Sequence, residues 1–172
     1  MSVAIDAANA GDVDRVLAVE RQAFSDPWSR ESFVRVLANP AVFFGCARRA
    51  DDSELLGYVV AWFAADEAEI ANLAVAPAFH GTGIGRRLLD SALAEARARG
   101  ARTVYLEVRD SNARARRLYG SRGFEEIGRR RRYYRKPEED AIVLRRRLDE
   151  DETEMKWTGP GAFRESPRRI DR

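Results

Sequence analysis

Leu73-Ala74-Val75-Ala76-Pro77-Ala78-Phe79-His80-Gly81-Thr82-Gly83-Ile84-Gly85-Arg86 places the end of an apolar strand, a glycine-rich turn and the start of a helix in direct succession. That order creates an anion site. The glycines let the backbone turn until several N–H groups point into one hollow, and the unpaired N–H groups of a helix's first turn add partial positive charge. A pyrophosphate suits such a hollow. An ordinary strand-to-helix turn reads the same way in isolation, so the surroundings decide. A dinucleotide-binding fingerprint needs glycine where Arg86 stands and an acidic residue after the next strand, within an alternating parallel fold. A P-loop needs Gly-Lys-Ser/Thr. Neither pattern is present.

Upstream of the turn, Val3 and Ile5 alternate as in a short strand, and a helix follows with Val13, Val16, Leu17, Glu20 and Phe24 at helical spacing, stopped by Asp26-Pro27. Ser29 caps a second short helix bearing Phe33, Val36 and Leu37, which ends near Asn39-Pro40. Three strand candidates, Ala41 to Arg48, Glu54 to Ala65 and Glu69 to Val75, form an antiparallel meander through Ala50-Asp51-Asp52-Ser53 and the acidic turn Asp66-Glu67. Downstream, an amphipathic helix runs from Ile84 to Arg99 and stops at Gly100, and the strand Thr103 to Val108 follows. A further helix spans Asn112 to Arg122-Gly123, and two strands close the pattern, Phe124 to Ile127 extending toward Tyr134, and Asp140 to Leu148. The fold class is α/β (α+β), a mixed, mostly antiparallel sheet of about seven strands flanked by four helices. It occupies residues 1–148. Residues 149–172 open on the charge run Asp149-Glu150-Asp151-Glu152 and are expected to be a mobile tail, with Trp157 and Phe163 leaving open a docked one.

Composition removes several chemistries. At 172 residues the chain fits one domain able to bury its own core. The single cysteine, Cys46, lies in an apolar run and reads as a small buried hydrophobe; no internal disulfide is possible. With His80 the only histidine, two-histidine metal sites are excluded, and no metal is expected. No secretory signal or membrane-length apolar stretch is present, so a cytoplasmic location without membrane contact is expected. The net charge of +2 is carried almost wholly by arginine, Lys136 and Lys156 being the only lysines. Scattered acids match it, so nucleic-acid binding is a weak expectation.

The glycine run resembles the acetyl-CoA-binding motif of the Gcn5-related N-acetyltransferase superfamily, Gln/Arg-x-x-Gly-x-Gly/Ala, with His80 standing where Gln or Arg is usual. The order of elements over residues 1–148 is similar to that superfamily. Leu106-Glu107-Val108-Arg109-Asp110-Ser111-Asn112, Leu118-Tyr119-Gly120 and Gly123-Phe124 resemble more closely its RimI-like subfamily, N-terminal acetyltransferases of ribosomal proteins. Asp26-Pro27-Trp28-Ser29, Asn72-Leu73-Ala74-Val75, Tyr133-Tyr134 and Glu139-Asp140-Ala141-Ile142 agree with it. The resemblance implies acetyl-CoA as co-substrate, held by Leu73, Ala74, Val75, Gly81, Thr82, Gly83, Ile84, Gly85, Arg86 and Asn112. It implies Glu107 as general base and Tyr119 as general acid. The implied acceptor is a protein N-terminus, most naturally the N-terminal alanine of a small-subunit ribosomal protein; separately from the resemblance, a monomer or weak dimer is expected.

The residue types suit that chemistry independently. An amine must lose a proton before attacking a thioester, and a strand carboxylate can take it. Glu107 alternates with Leu106 and Val108 and so points to the other sheet face; an ordinary edge carboxylate would do the same. Asn112 and Tyr119 share one helix face almost two turns apart. A phenol can protonate a departing thiolate, and Tyr119 can equally be a core aromatic. An α-amine is roughly one-tenth neutral at pH 7 and a lysine in about four parts in ten thousand, which mildly favours a protein N-terminus as acceptor. Trp28, Asn72, Tyr133 and Tyr134 are candidates for the acceptor pocket, Trp28 equally as a core cover. Arg129 to Arg132 and Arg145 to Arg147 read as solvated strand ends, or as a rim for acidic protein or RNA. An acetyltransferase for lysine or a small amine and a non-catalytic acetyl-CoA sensor remain alternatives.

Overall fold

The computed structural model describes residues 1–148, and the expected tail lies outside them. The chain runs β1 (Val3–Ala7), α1 (Val13–Ala23), α2 (Arg30–Leu37), β2 (Val42–Arg49), β3 (Leu55–Ala64), β4 (Glu67–Val75), α3 (Ile84–Ala98), β5 (Thr103–Arg109), α4 (Ala113–Gly120), β6 (Glu125–Arg135) and β7 (Glu138–Arg147). One sheet holds all seven strands in the order β1-β2-β3-β4-β5-β7-β6. The β4–β5 pair is parallel and the rest are antiparallel. The expected mixed sheet with four helices is therefore present.

The core has two layers because the central strands are apolar on both faces. Seven consecutive residues of β3, Leu55 to Ala61, are buried, as a strand covered on both sides must be. On one face Leu88, Leu89, Ala92, Leu93 and Ala96 of α3 pack with Leu56, Val59, Val104, Leu106 and Ile142. On the other, Val13, Val16 and Leu17 of α1 and Phe33 and Val36 of α2 pack with Phe44, Tyr58 and Val60. Cys46 is wholly buried in this second layer, and burial pushes its thiol up to about 12. It is inert at neutral pH.

Most strand ends shift by one or two residues from the sequence reading, and three boundaries change in kind. The β3–β4 turn is Ala65-Asp66, since Ala64 pairs with Glu67 and Ala65 takes a φ of 53°. Phe24 lies just beyond α1, extended, with its N–H on the carbonyl of Glu20. Helix α4 ends at Gly120, and Arg122 and Gly123 close a turn after it by donating to Tyr119 and Gly120.

The feature that positions the site is a parting between β4 and β5. Their ladder joins only Glu67–Ile70 to Thr103–Leu106, and beyond it the strands separate. A bulge precedes the parting: Ile70 pairs with Ala61 and Asn72 with Val60, leaving Ala71 over. The extra residue puts Ala71 and Asn72 on the α1 side and returns Leu73 to the α3 side. Ala76 donates to Leu56 at 2.8 Å, so Ala76, Ala74 and Asn72 face β3 by their main chains. The N–H and C=O groups of Leu73 and Val75 therefore face the opening.

Candidate active site

The glycine turn takes the form the sequence demands. Gly81 and Gly83 have φ of 77° and 85°, and a Cβ at either would meet nothing within 4 Å. The hollow above them is open. Gly83 is the N-cap of α3 and supplies no side-chain cap, so the first-turn amides remain directed outward. The hydroxyl of Thr82 donates to the carbonyl of Phe79 at 2.6 Å and fixes the loop from behind. At Gly85 a Cβ would stand 3.4 Å from Leu118 and 3.6 Å from Val75, so α3, α4 and the end of β4 converge there. An open cradle of amides beside a strand with outward main-chain groups fits a pyrophosphate joined to an amide-bearing arm.

His80 fastens this cradle. Its Nε2 lies 2.9 Å from the carbonyl of Val75, which can only accept, so Nε2 carries the proton. The guanidinium of Arg114, in the first turn of α4, donates to Nδ1. The irregular residue of the motif thus ties the end of β4 to α4. Asn112 caps α4 by accepting from the N–H of Ala115 at 3.1 Å. That commits its oxygen, and contact with a ligand falls to its amide nitrogen.

Glu107 and Tyr119 approach from opposite faces of the sheet. Leu106 and Val108 belong to the α3 layer, so Glu107 faces the side of α1 and α2. Its Oε1 lies 2.7 Å from Nε of Arg130, and the side chain is 12% exposed. Tyr119 is buried on the α3 side, edge-on to Phe124 with ring centres 5.8 Å apart. Burial raises its phenol above the ordinary 10, and nearby Tyr134 adds to the effect. The proton stays on the phenol throughout the neutral range.

The acceptor-side candidates divide. Trp28 is half-buried with its ring 5.4 Å from Phe33, and its main-chain N–H donates to Oε1 of Glu20 at 2.8 Å. Asn72 is buried and its amide donates to Oε2 of Glu20 at 2.9 Å. It therefore meets an acceptor only as support from beneath. Tyr133 and Tyr134 stand edge to face, 5.1 Å apart, at the β6–β7 turn.

Three residues with a place here carry no role in the sequence reading. Glu20, 1% exposed, accepts from Trp28, Asn72 and the hydroxyl of Tyr58. An acid within the apolar stripe of α1 is the signal that marks it. Arg109 donates to the carbonyls of Pro137 and Lys136 at 3.1 and 3.2 Å and to the hydroxyl of Ser25 at 3.4 Å. It also lies 4.1 Å over the ring of Tyr134. One guanidinium so joins the α1–α2 connection to the β6–β7 turn. Arg130, read from sequence as a solvated strand end, is the partner of Glu107. Among the described residues no group of three or more His, Cys, Asp or Glu side chains is placed to hold a metal, and no helix is long and apolar enough to cross a membrane.

A parted parallel strand pair beside an uncapped glycine turn defines an acyl-CoA-dependent acyltransferase architecture. The model of the acetyltransferase (GNAT) family matches residues 13–124, and the chain belongs to that family. Within it the chain is similar to the N-alpha-acetyltransferase RimI of Mycobacterium tuberculosis, 41% identical over 150 residues, 84% of this chain and 92% of the relative. It is also similar to the ribosomal protein bS18-alanine N-acetyltransferase of Salmonella typhimurium, 36% identical over 135 residues, 77% of this chain and 89% of the relative. The crystal structure of the ribosomal-protein-S18-alanine N-acetyltransferase from Escherichia coli superposes with a TM-score of 0.78 at 29% identity, covering 94% of this chain and 99% of that one. The chain is a RimI-like, acetyl-CoA-dependent N-acetyltransferase.

Proposed function

We propose that this enzyme moves the acetyl group of acetyl-CoA to the α-amine of a protein N-terminus, that of an alanine-first small-subunit ribosomal protein. The observation that carries the reading is similarity along most of the chain to relatives named for that reaction, together with a carboxylate facing the α1–α2 side of the parted strands.

Acetyl-CoA supplies an acetyl group activated as a thioester. The amides of Gly81 to Arg86 hold its pyrophosphate, and the outward main-chain groups of Leu73 and the N–H of Val75 pair with its amide-bearing arm. The amine arrives from the α1–α2 side, bordered by Trp28 and the Tyr133-Tyr134 pair. Glu107 takes the proton from the amine nitrogen as the N–C bond forms. Main-chain N–H groups facing the opening stabilise the carbonyl oxygen as charge collects there. Tyr119 donates to the sulfur as the C–S bond breaks. Because burial holds the phenol above its ordinary pKa, it still carries its proton through the neutral range.

The test is a panel of acceptors with purified enzyme and acetyl-CoA: an alanine-first peptide, the same peptide blocked at its N-terminus and carrying a lysine, and polyamines. Acetylation of the alanine-first peptide is expected. Turnover confined to the blocked peptide or to polyamines would overturn the substrate assignment in favour of a lysine or small-amine acetyltransferase.

A further inference from the structure

Arg130 sets its guanidinium against the carboxylate proposed as base, Nε 2.7 Å from Oε1 of Glu107. The two are unequally placed: the side chain of Glu107 is 12% exposed and that of Arg130 49%. Arg130 pairs with Ala141 at the last position before the β6–β7 ladder breaks, and the ladder resumes at Tyr134. Breaks of this kind re-aim side chains. Two neighbouring arginines are engaged elsewhere, Arg129 by Asp110 and Glu126 and Arg132 by Glu138. The guanidinium of Arg130 also lies 5.8 Å from the ring centre of Tyr133, on the acceptor side. With Arg130 half exposed, the pair adds little to stability. Its consequence is local and electrostatic.

We propose that Arg130 is a specificity-determining residue that favours amines arriving neutral, because its charge beside Glu107 opposes an incoming ammonium and leaves a neutral amine untouched. The proposal rests on Glu107 as the base. A lone carboxylate would bind an ammonium as its counter-ion. With Arg130 present the carboxylate is already matched, so a second cation gains less. At pH 7 the neutral fraction of an α-amine exceeds that of a lysine by about 300-fold. A site open only to the neutral form imposes that whole factor against lysine, and a site open to both forms weakens this filter without removing it, because a bound ammonium must still lose its proton before attack. In the step itself the neutral nitrogen bonds to the acetyl carbon and its surplus proton passes to Glu107. The C–S bond breaks and the thiolate takes the proton of Tyr119. Arg130 exchanges no proton.

The experiment compares kcat/KM for the alanine-first peptide and the blocked lysine peptide in the wild type, R130Q and R130K. R130Q should shrink the α-amine preference by about three- to thirtyfold, on the order of one unit charge acting through largely solvated surroundings. R130K keeps the charge and should keep the preference. R130M, a second uncharged variant, should behave as R130Q does. Acetyl-CoA affinity at the wild-type value certifies the fold of each. An unchanged or larger preference in both uncharged variants, or an equal loss in R130K, overturns the proposal. E107Q tests the base separately: full turnover there would remove the base assignment whatever the selectivity of R130Q.

Discussion

Tyr119, proposed above as the proton donor, illustrates how burial sets the pH range of a phenol. Its phenol is raised above 10 by burial first and by Tyr134 second, so the protonated form persists to higher pH than in an exposed tyrosine. kcat should therefore show no alkaline fall from this group up to pH 10, and a pH–rate profile on the alanine-first peptide checks it. Tyr119→Phe removes the donor and keeps the ring against Phe124. It should lower kcat by about 10²- to 10³-fold while acetyl-CoA affinity, read by calorimetry, stays. Glu107 was legible as a candidate through the resemblance carried by Leu106 to Asn112, and strand alternation added only that it stands opposite Leu106 and Val108. Its pairing with Arg130 was not legible, since it depends on where the β6–β7 ladder breaks, and Arg129 to Arg132 are chemically alike in the sequence.

Single charged residues fix whole elements here. Glu20 receives Trp28 from the α1–α2 connection, Tyr58 from β3 and Asn72 from the bulge in β4. Glu20→Gln keeps the volume but turns one acceptor into a donor. It should cost about 1 to 3 kcal/mol in urea denaturation and raise the KM for peptide with little change in acetyl-CoA affinity. Asp12, in the turn before α1, accepts from both terminal nitrogens of Arg48 on β2 at 2.8 and 2.6 Å. The bond from Arg48 holds its carboxyl below the ordinary 3.8 against the opposing effect of burial. The folded-state value being the lower one, the pair stabilises fully above 3.8 and is lost as pH falls through the folded-state value. Asp12→Asn should cost about 3 kcal/mol at pH 7, and its deficit against the wild type should narrow at pH 3. The contacts of Glu20 escaped the sequence because their partners stand 38 and 52 residues away. Ala71 gave no local sign of a bulge.

For the molecule as a whole, the succession of strands and helices was readable because each has a clear period and stop, from Asp26-Pro27 after α1 to Gly100 after α3. The order of strands was less so. β7 lies between β5 and β6, an arrangement that hairpin pairing of β6 with β7 allows on either side and that packing decides. The parting of β4 from β5 is a property of the assembled sheet, and Glu107 is the first residue of β5 beyond the ladder. On the function proposed above, the enzyme's central property is selection of a protein α-amine. The most direct measurement uses one peptide bearing both an N-terminal alanine and an internal lysine, incubated with enzyme and acetyl-CoA and mapped by tandem mass spectrometry over time. Acetylation at the α-amine well before any at the lysine is the expected result. Modification of the lysine first, or of both at equal rate, would contradict it.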